Sequence, residues 1–115
     1  MAKFMLFIRG GYEVTSQFSP EEMQAVIGRY RQWAGALSQA GRLVEAEKLC
    51  DDGGRLLRRT ESGFSVDGPF TETKETIGGY YIIHAGDYDE ALELAKECPI
   101  FDEGGDVELR KIEGS

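Results

Sequence analysis

The run Asp67-Gly68-Pro69-Phe70-Thr71-Glu72-Thr73-Lys74-Glu75, followed after Thr76 and Ile77 by Gly78 and Gly79, gathers three carboxylates and one ammonium on a rigid turn. No other stretch of the chain concentrates so much constrained and ionisable chemistry. Pro69 fixes its own φ and biases Gly68 towards extended geometry, while Gly68 reaches backbone angles closed to other residues, so the corner is stiff. Asp67 can accept hydrogen bonds from the amides of its own turn, or stand at the edge of a cleft as a base or ligand-binding group; the residues leave both roles open. Thr71 to Glu75 suit a short helical turn, in which an ammonium flanked by carboxylates serves proton transfer and ion-pair locking equally well. Gly79, beside Gly78, lets a backbone or a ligand come close. Asp67 and Lys74 are therefore the candidate catalytic groups, and Gly68, Pro69, Phe70, Glu72, Glu75 and Gly79 the candidate binding positions. Arg9, at the exit of the first strand, is a further candidate for the same cleft by topology.

Other chemistry is thinner. The single histidine, His84, sits late in a strand beside Ala85 and Gly86, where one satisfied hydrogen bond is its ordinary use despite a suitable intrinsic pKa. Cys98 stands at the end of a helix beside Glu97 and Pro99, at the negative end of the macrodipole, which disfavours thiolate and favours a packing role. Asp51-Asp52-Gly53-Gly54 and Asp102-Glu103-Gly104-Gly105-Asp106 lack the spacing of a twelve-residue calcium loop and read as solvated turns. No zinc pattern, Walker loop, GxGxxG or GxSxG occurs, so neither a metal nor a cofactor is predicted.

The elements that must position these groups follow in order. Phe4 to Ile8 is apolar on both alternating faces, as for a central strand, and Gly10 and Gly11 end it. Ser19-Pro20-Glu21-Glu22 is a capping box with Pro at the first helical position and a Phe18 to Met23 staple. Met23, Val26, Ile27, Tyr30, Trp33, Ala34 and Leu37 then form one apolar stripe, predicting a helix to about Ala40. Leu43 to Leu49 reads as a strand, and Arg55 to Thr60 with Phe64 to Asp67 as a hairpin around Gly63. Gly79 to Ala85 is a strand; Asp87 and Glu90 open a second helix with Tyr88, Ala91, Leu92 and Ala95 inward and Pro99 as terminator; Val107 to Ile112 is the last strand.

This order predicts one α+β domain over residues 1–115, a ferredoxin-like split βαβ with an antiparallel sheet and an added β-hairpin. Both helices should cover one sheet face. The other face would be left open, yet the first strand is apolar on both sides and the Gly79 to Ala85 strand carries Tyr and Ile on alternate sides, which predicts a second copy across it and a dimeric α/β barrel. The formal net charge of −8 opposes a phosphate backbone, so direct nucleic-acid binding is disfavoured. The apolar run after Lys3 is too short for a signal peptide or a membrane span, and the two cysteines lack any CxxC spacing, which together predict a cytoplasmic protein with reduced thiols.

The string DGPFTETKE with its following glycine pair closely resembles the signature of the DGPF branch of the YCII-related family. The match extends to Ser-Pro-Glu-Glu before the first helix and Val107-Glu108-Leu109-Arg110 in the last strand. The resemblance implies a ferredoxin-like homodimeric α/β barrel. It also implies enzymatic activity, since many members carry a His and Asp pair, or alternatively a regulatory partner of a sigma factor in transcription initiation. The ionisable cluster on the braced loop, for its part, points to an enzyme or binding protein for a small molecule. This chain departs from the pattern in having no histidine in its first strand or first helix, where that pair would require one.

Overall fold

The computed structural model describes residues 1–68 and 77–115. A four-stranded antiparallel sheet is built from β1 (Ala2–Arg9), β2 (Leu43–Lys48), β5 (Ile77–Ala85) and β6 (Asp106–Lys111) in the order β2-β5-β1-β6. Between β2 and β5 the chain makes a separate two-stranded sheet from β3 (Leu56–Thr60) and β4 (Gly63–Asp67). The helices are α1 (Tyr12–Thr15), α2 (Pro20–Gln39) and α3 (Tyr88–Ala95), and a 3-10 helix spans Pro99–Glu103. The arrangement is compatible with the ferredoxin-like plan, and the inserted hairpin falls where the turn residues place it.

Alternation along the central strands assigns their faces. Phe4, Leu6 and Ile8 of β1 lie opposite Ile83, Tyr81 and Gly79 of β5, and these side chains pack beneath the helices together with Trp33 and Leu37 of α2 and Ala91 and Ala95 of α3. Phe4, Leu6 and Ile83 are 0% exposed. Met5, Phe7 and Arg9 therefore share the opposite, open face with Tyr80 and Ile82. Tyr30 and Ala34 of the helical stripe sit partly buried against this core.

The α2 capping box is present in both directions, with the Glu22 amide donating to Ser19 Oγ at 3.1 Å and the Ser19 amide donating to Glu22 Oε1 at 2.9 Å. The second box is only half formed. The Glu90 amide donates to Asp87 Oδ1 at 2.9 Å, but the Glu90 carboxylate accepts from the Gly86 amide and from Arg42 instead of the Asp87 amide. Those two donors hold the Glu90 carboxyl below the ordinary carboxylate range, the Gly86 amide first. Leu92, read as inward, is exposed; Leu94 takes its place against the core, because the inward stripe of this short helix runs through Ala91, Leu94 and Ala95. Pro99 does more than end α3, since it opens the 3-10 helix.

The hairpin stands apart from this core. Leu57, Phe64 and Val66 share one of its faces, each 62% exposed, with the Arg59 guanidinium 5.0 Å from the Phe64 ring centre. Among the described residues no helix is long and apolar enough to cross a membrane.

Gly79 allows β2 and β5 to approach closely. A Cβ there would meet the Glu47 carbonyl oxygen at 2.8 Å, whereas one at Gly35, on the exposed side of α2, would meet nothing within 4 Å. Gly79→Ala is expected to cost about 1–3 kcal/mol by overpacking, and Gly35→Ala to gain up to about 1 kcal/mol through helix propensity. Urea denaturation of the two variants checks both signs.

Candidate functional site

On the helix side of the sheet, α2 and the strands beneath it form a half-open cavity of about 430 Å³. α2 contributes Met23, Val26, Ile27, Tyr30 and Ala34; the sheet contributes Ile8, Ala46, Gly78, Gly79 and Tyr81; the loop Gly10-Gly11-Tyr12 and Ile100 and Glu103 of the 3-10 helix complete the walls. The volume has a sequence origin. Apolar residues at i, i+3 and i+4 turn α2 onto the sheet, but the surfaces that meet here end in Ala34, Ala46, Gly78 and Gly79, too small to fill the space. Arg31, Lys48 and Asp51 add polar groups to the lining.

Glu103 is the unusual member. It is 2% exposed, and its Oε2 makes no hydrogen bond. The nearest cation, Arg29 Nη2, lies 3.7 Å from that oxygen, close enough for ion-pair attraction and too far for a hydrogen bond. Burial pushes the Glu103 carboxyl up, Asp102 adds to the rise, and Arg29 opposes it. The local chain explains the burial. Pro99 starts the 3-10 helix, Gly104 reverses the chain at a φ of 78°, and the Gly105 amide closes the turn on the Ile100 carbonyl at 3.1 Å. Asp102-Glu103-Gly104-Gly105-Asp106 is thus not the solvated turn that its composition indicates, because Glu103 is folded inward.

Around Glu103 the remaining polar groups are already engaged or neutral. Tyr30 and Cys98 lie within electrostatic reach of each other. Burial pushes the Cys98 thiol up to about 11 and the Tyr81 hydroxyl up to about 12, and raises Tyr30 as well, so all three keep their protons at neutral pH. Cys98 is buried, as its expected packing role requires.

The residues singled out from sequence fall in different places. Gly79 lines the cavity. Asp67, the last residue of β4, is exposed and lies 3.6 Å from Arg58 Nε in a hairpin ion pair; it does not line the cavity. Gly68 follows with φ 122°, and a Cβ there would stand 2.7 Å from the Gly54 carbonyl oxygen, so the corner packs tightly on the chain entering β3. Arg9 points to the open face, where its Nε donates to Asp106 Oδ1 at 2.8 Å and its Nη1 lies 3.5 Å from Glu108. Pro69, Phe70, Glu72, Lys74 and Glu75 lie outside the described residues.

Comparison with known proteins places this architecture. Residues 3–113 match the YCII-related domain. The chain belongs to the YCII-related family. An uncharacterized protein of Rhizobium meliloti (strain 1021) is 34% identical over 86 residues, which span 73% of this chain and 69% of that protein. In this YCII-related domain His84 pairs with Lys3 in the β1–β5 ladder, its amide donating to the Arg42 carbonyl at 2.8 Å, and it is not among the residues that line the cavity.

Sequence reasoning passed over Glu103. The available signal was its frame, Pro99 four residues before it and Gly104-Gly105 after it, which marks a tight helical turn whose last side chain can be swept inwards. A carboxyl raised by burial costs stability most when ionised, so the sign is fixed. Below the unfolded pKa the group is neutral in both states; as pH climbs through the raised folded pKa, the unfolded state loses its proton first and native stability falls. Glu103→Gln, neutral throughout, should therefore gain stability relative to the native chain as pH rises from 4 to 8. Denaturant midpoints at the two pH values test this, and a gain that is equal at both would contradict it.

Proposed function

We propose that this YCII-related protein, a member of the DGPF branch, binds a small, largely apolar molecule in the cavity between α2 and the sheet. The observation that carries the reading is a half-open space of about 430 Å³ with mostly apolar walls. Ligand sites take this form, with hydrophobic lining and few convergent polar groups. Gly78 and Gly79, which follow the DGPFTETKE segment in the sequence, line that wall. Asp67 serves the hairpin corner in this reading, and the ligand contacts are made by Tyr30, Ala34 and Gly79.

A thermal-shift screen of metabolites followed by repetition on Ala34→Trp tests the assignment. Ala34 lines the cavity from α2, so an indole there fills the space. A ligand at one hundred times its Kd stabilises the native chain by about 2.7 kcal/mol, and Ala34→Trp should lose that stabilisation while remaining folded. Hits that survive the substitution bind elsewhere and would sink the reading.

The open sheet face supports a homodimer as the assembly in which this site works. Met5, Phe7, Tyr80 and Ile82 line that face without helical cover, and Leu57, Phe64 and Val66 are exposed on the separate hairpin. Light scattering is expected to give twice the 12.8 kDa chain mass, falling to one chain mass for Ile82→Asp. A native chain that runs at a single chain mass at tens of micromolar overturns the dimer.

A further inference from the structure

The lining of the cavity is graded from a closed end to an open one. Ile8, Val26, Tyr81 and Ile100 are buried, whereas Ile27, Arg31, Lys48 and Asp51 are exposed. The open end therefore lies between α2 and the edge strand β2. Two cations border it. Arg31 stands one turn beyond Ile27 on α2, and Lys48 two residues beyond Ala46 on β2, each on the same face as that apolar neighbour. Lys48 is engaged, its Nζ donating to Asp51 Oδ1 at 2.9 Å and to the Leu49 carbonyl. Arg31 differs. Among the described residues it makes no hydrogen bond, ion pair or ring contact, while every other arginine of the chain makes at least one. In a chain with 21 acids against 13 bases, the arginine left without a carboxylate is the one that lines the cavity.

We propose that the occupant of the cavity is an amphipathic carboxylate, with its apolar body between Ile27, Tyr30, Ala34 and Tyr81 and its charged end on Arg31 at the opening. The inference rests on the cavity being a ligand site, and it names the class of ligand. A guanidinium presents a planar fork that matches a carboxylate with two parallel hydrogen bonds. Its stem is long and flexible, and because it holds no partner, turning it over the opening breaks no contact. The open end is also where an anion costs least. A carboxylate there keeps part of its water while the hydrocarbon enters, whereas one carried to the closed end would lose its hydration among aliphatic walls. Asp51, the acid lining the same end, is paired with Lys48. Glu47, opposite Tyr80 in the ladder, turns its side chain to the other side of the sheet. The net charge of −8 is spread over the whole chain and is screened by salt beyond a Debye length.

Octanoate and octanamide test this, since they share one chain and differ in the charge of the end group. Titration calorimetry at neutral pH and low ionic strength is expected to show octanoate binding about fivefold more tightly to the native chain, the ratio that a good ion pair open to water supplies. Added salt should shrink that ratio. Arg31→Gln, at an exposed position with no partner to lose, should fold as the native chain does and bring the ratio to about one with octanamide binding retained. Lys96→Gln removes the same charge from α3, away from the cavity lining, and should leave the ratio unchanged. Amide shifts centred on Arg31 and Gly79 in both titrations locate the probes in the cavity. Equal binding of the two probes to the native chain overturns the carboxylate preference and leaves the cavity site standing. A preference that persists in Arg31→Gln, or that falls equally in Lys96→Gln, overturns the role of Arg31. Binding of neither probe, or binding with shifts elsewhere, overturns both the preference and the cavity as an apolar ligand site.

Discussion

The structure depends on one constraint: the central strand pair must bury a single alternating face under the helices. β1 is hydrogen-bonded on both sides, to β5 and to β6, so its register is held by two ladders at once. A slip by one residue would send Phe4, Leu6 and Ile8 to the open side and bring Arg9 under α2. Full burial of a large apolar side chain is worth about 1.5–3 kcal/mol, and Phe4, Leu6 and Ile83 are 0% exposed, so that slip is heavily disfavoured. The cavity is a consequence of the same layer. Where α2 presents Trp33 the gap is filled, with the indole 4.5 Å from the Tyr81 ring centre. Where Ala34 meets Ala46, Gly78 and Gly79, side chains too short to touch leave space.

Features controlled by neighbours in the chain were legible in the sequence. The Ser19 to Glu22 box, the stripe through Val26, Trp33 and Leu37, the alternation in β1 and β5 and the hairpin around Gly63 depend on local geometry or on a period. The topology followed from their order. What depended on distant packing was not legible. The four-residue helix α1 has no buried residue and so no apolar pattern to announce it. The choice of Leu94 over Leu92 in α3 is made by the core above which the helix settles, since both leucines are equally apolar.

The site shows the same division more sharply. Reasoning from chemistry favoured the cluster of ionisable groups around Asp67, because charged residues on a braced turn look purposeful. Asp67 is exposed and paired with Arg58, and exposed pairs of this kind contribute little, on the order of 0–1 kcal/mol. Glu103 drew no interest because its neighbours Asp102, Gly104, Gly105 and Asp106 have the composition of a solvated loop. Its burial is decided by long-range contacts, with Gly11 packed against its Cβ and Arg29 approaching from α2, and no short window of sequence contains both with Glu103.

A carboxylate in that position is poor material for a core. Isosteric apolar residues such as Leu or Met would fill the same volume without desolvating a charge, and replacement of buried ionic groups by apolar ones is often neutral or stabilising. Arg29 softens the cost only in part, because its guanidinium is 44% exposed and remains beyond hydrogen-bond reach. The sheet and helices supply their own reasons to fold, and none of those reasons requires an acid at 103. Glu103 is instead held by its local frame, with Arg29 3.7 Å from its carboxylate and the turn closed behind it at Gly104. The physical case for the proposed ligand site therefore rests on the volume and apolar walls of the cavity, which the short side chains of Ala34 and Ala46 and the glycines at 78 and 79 leave open.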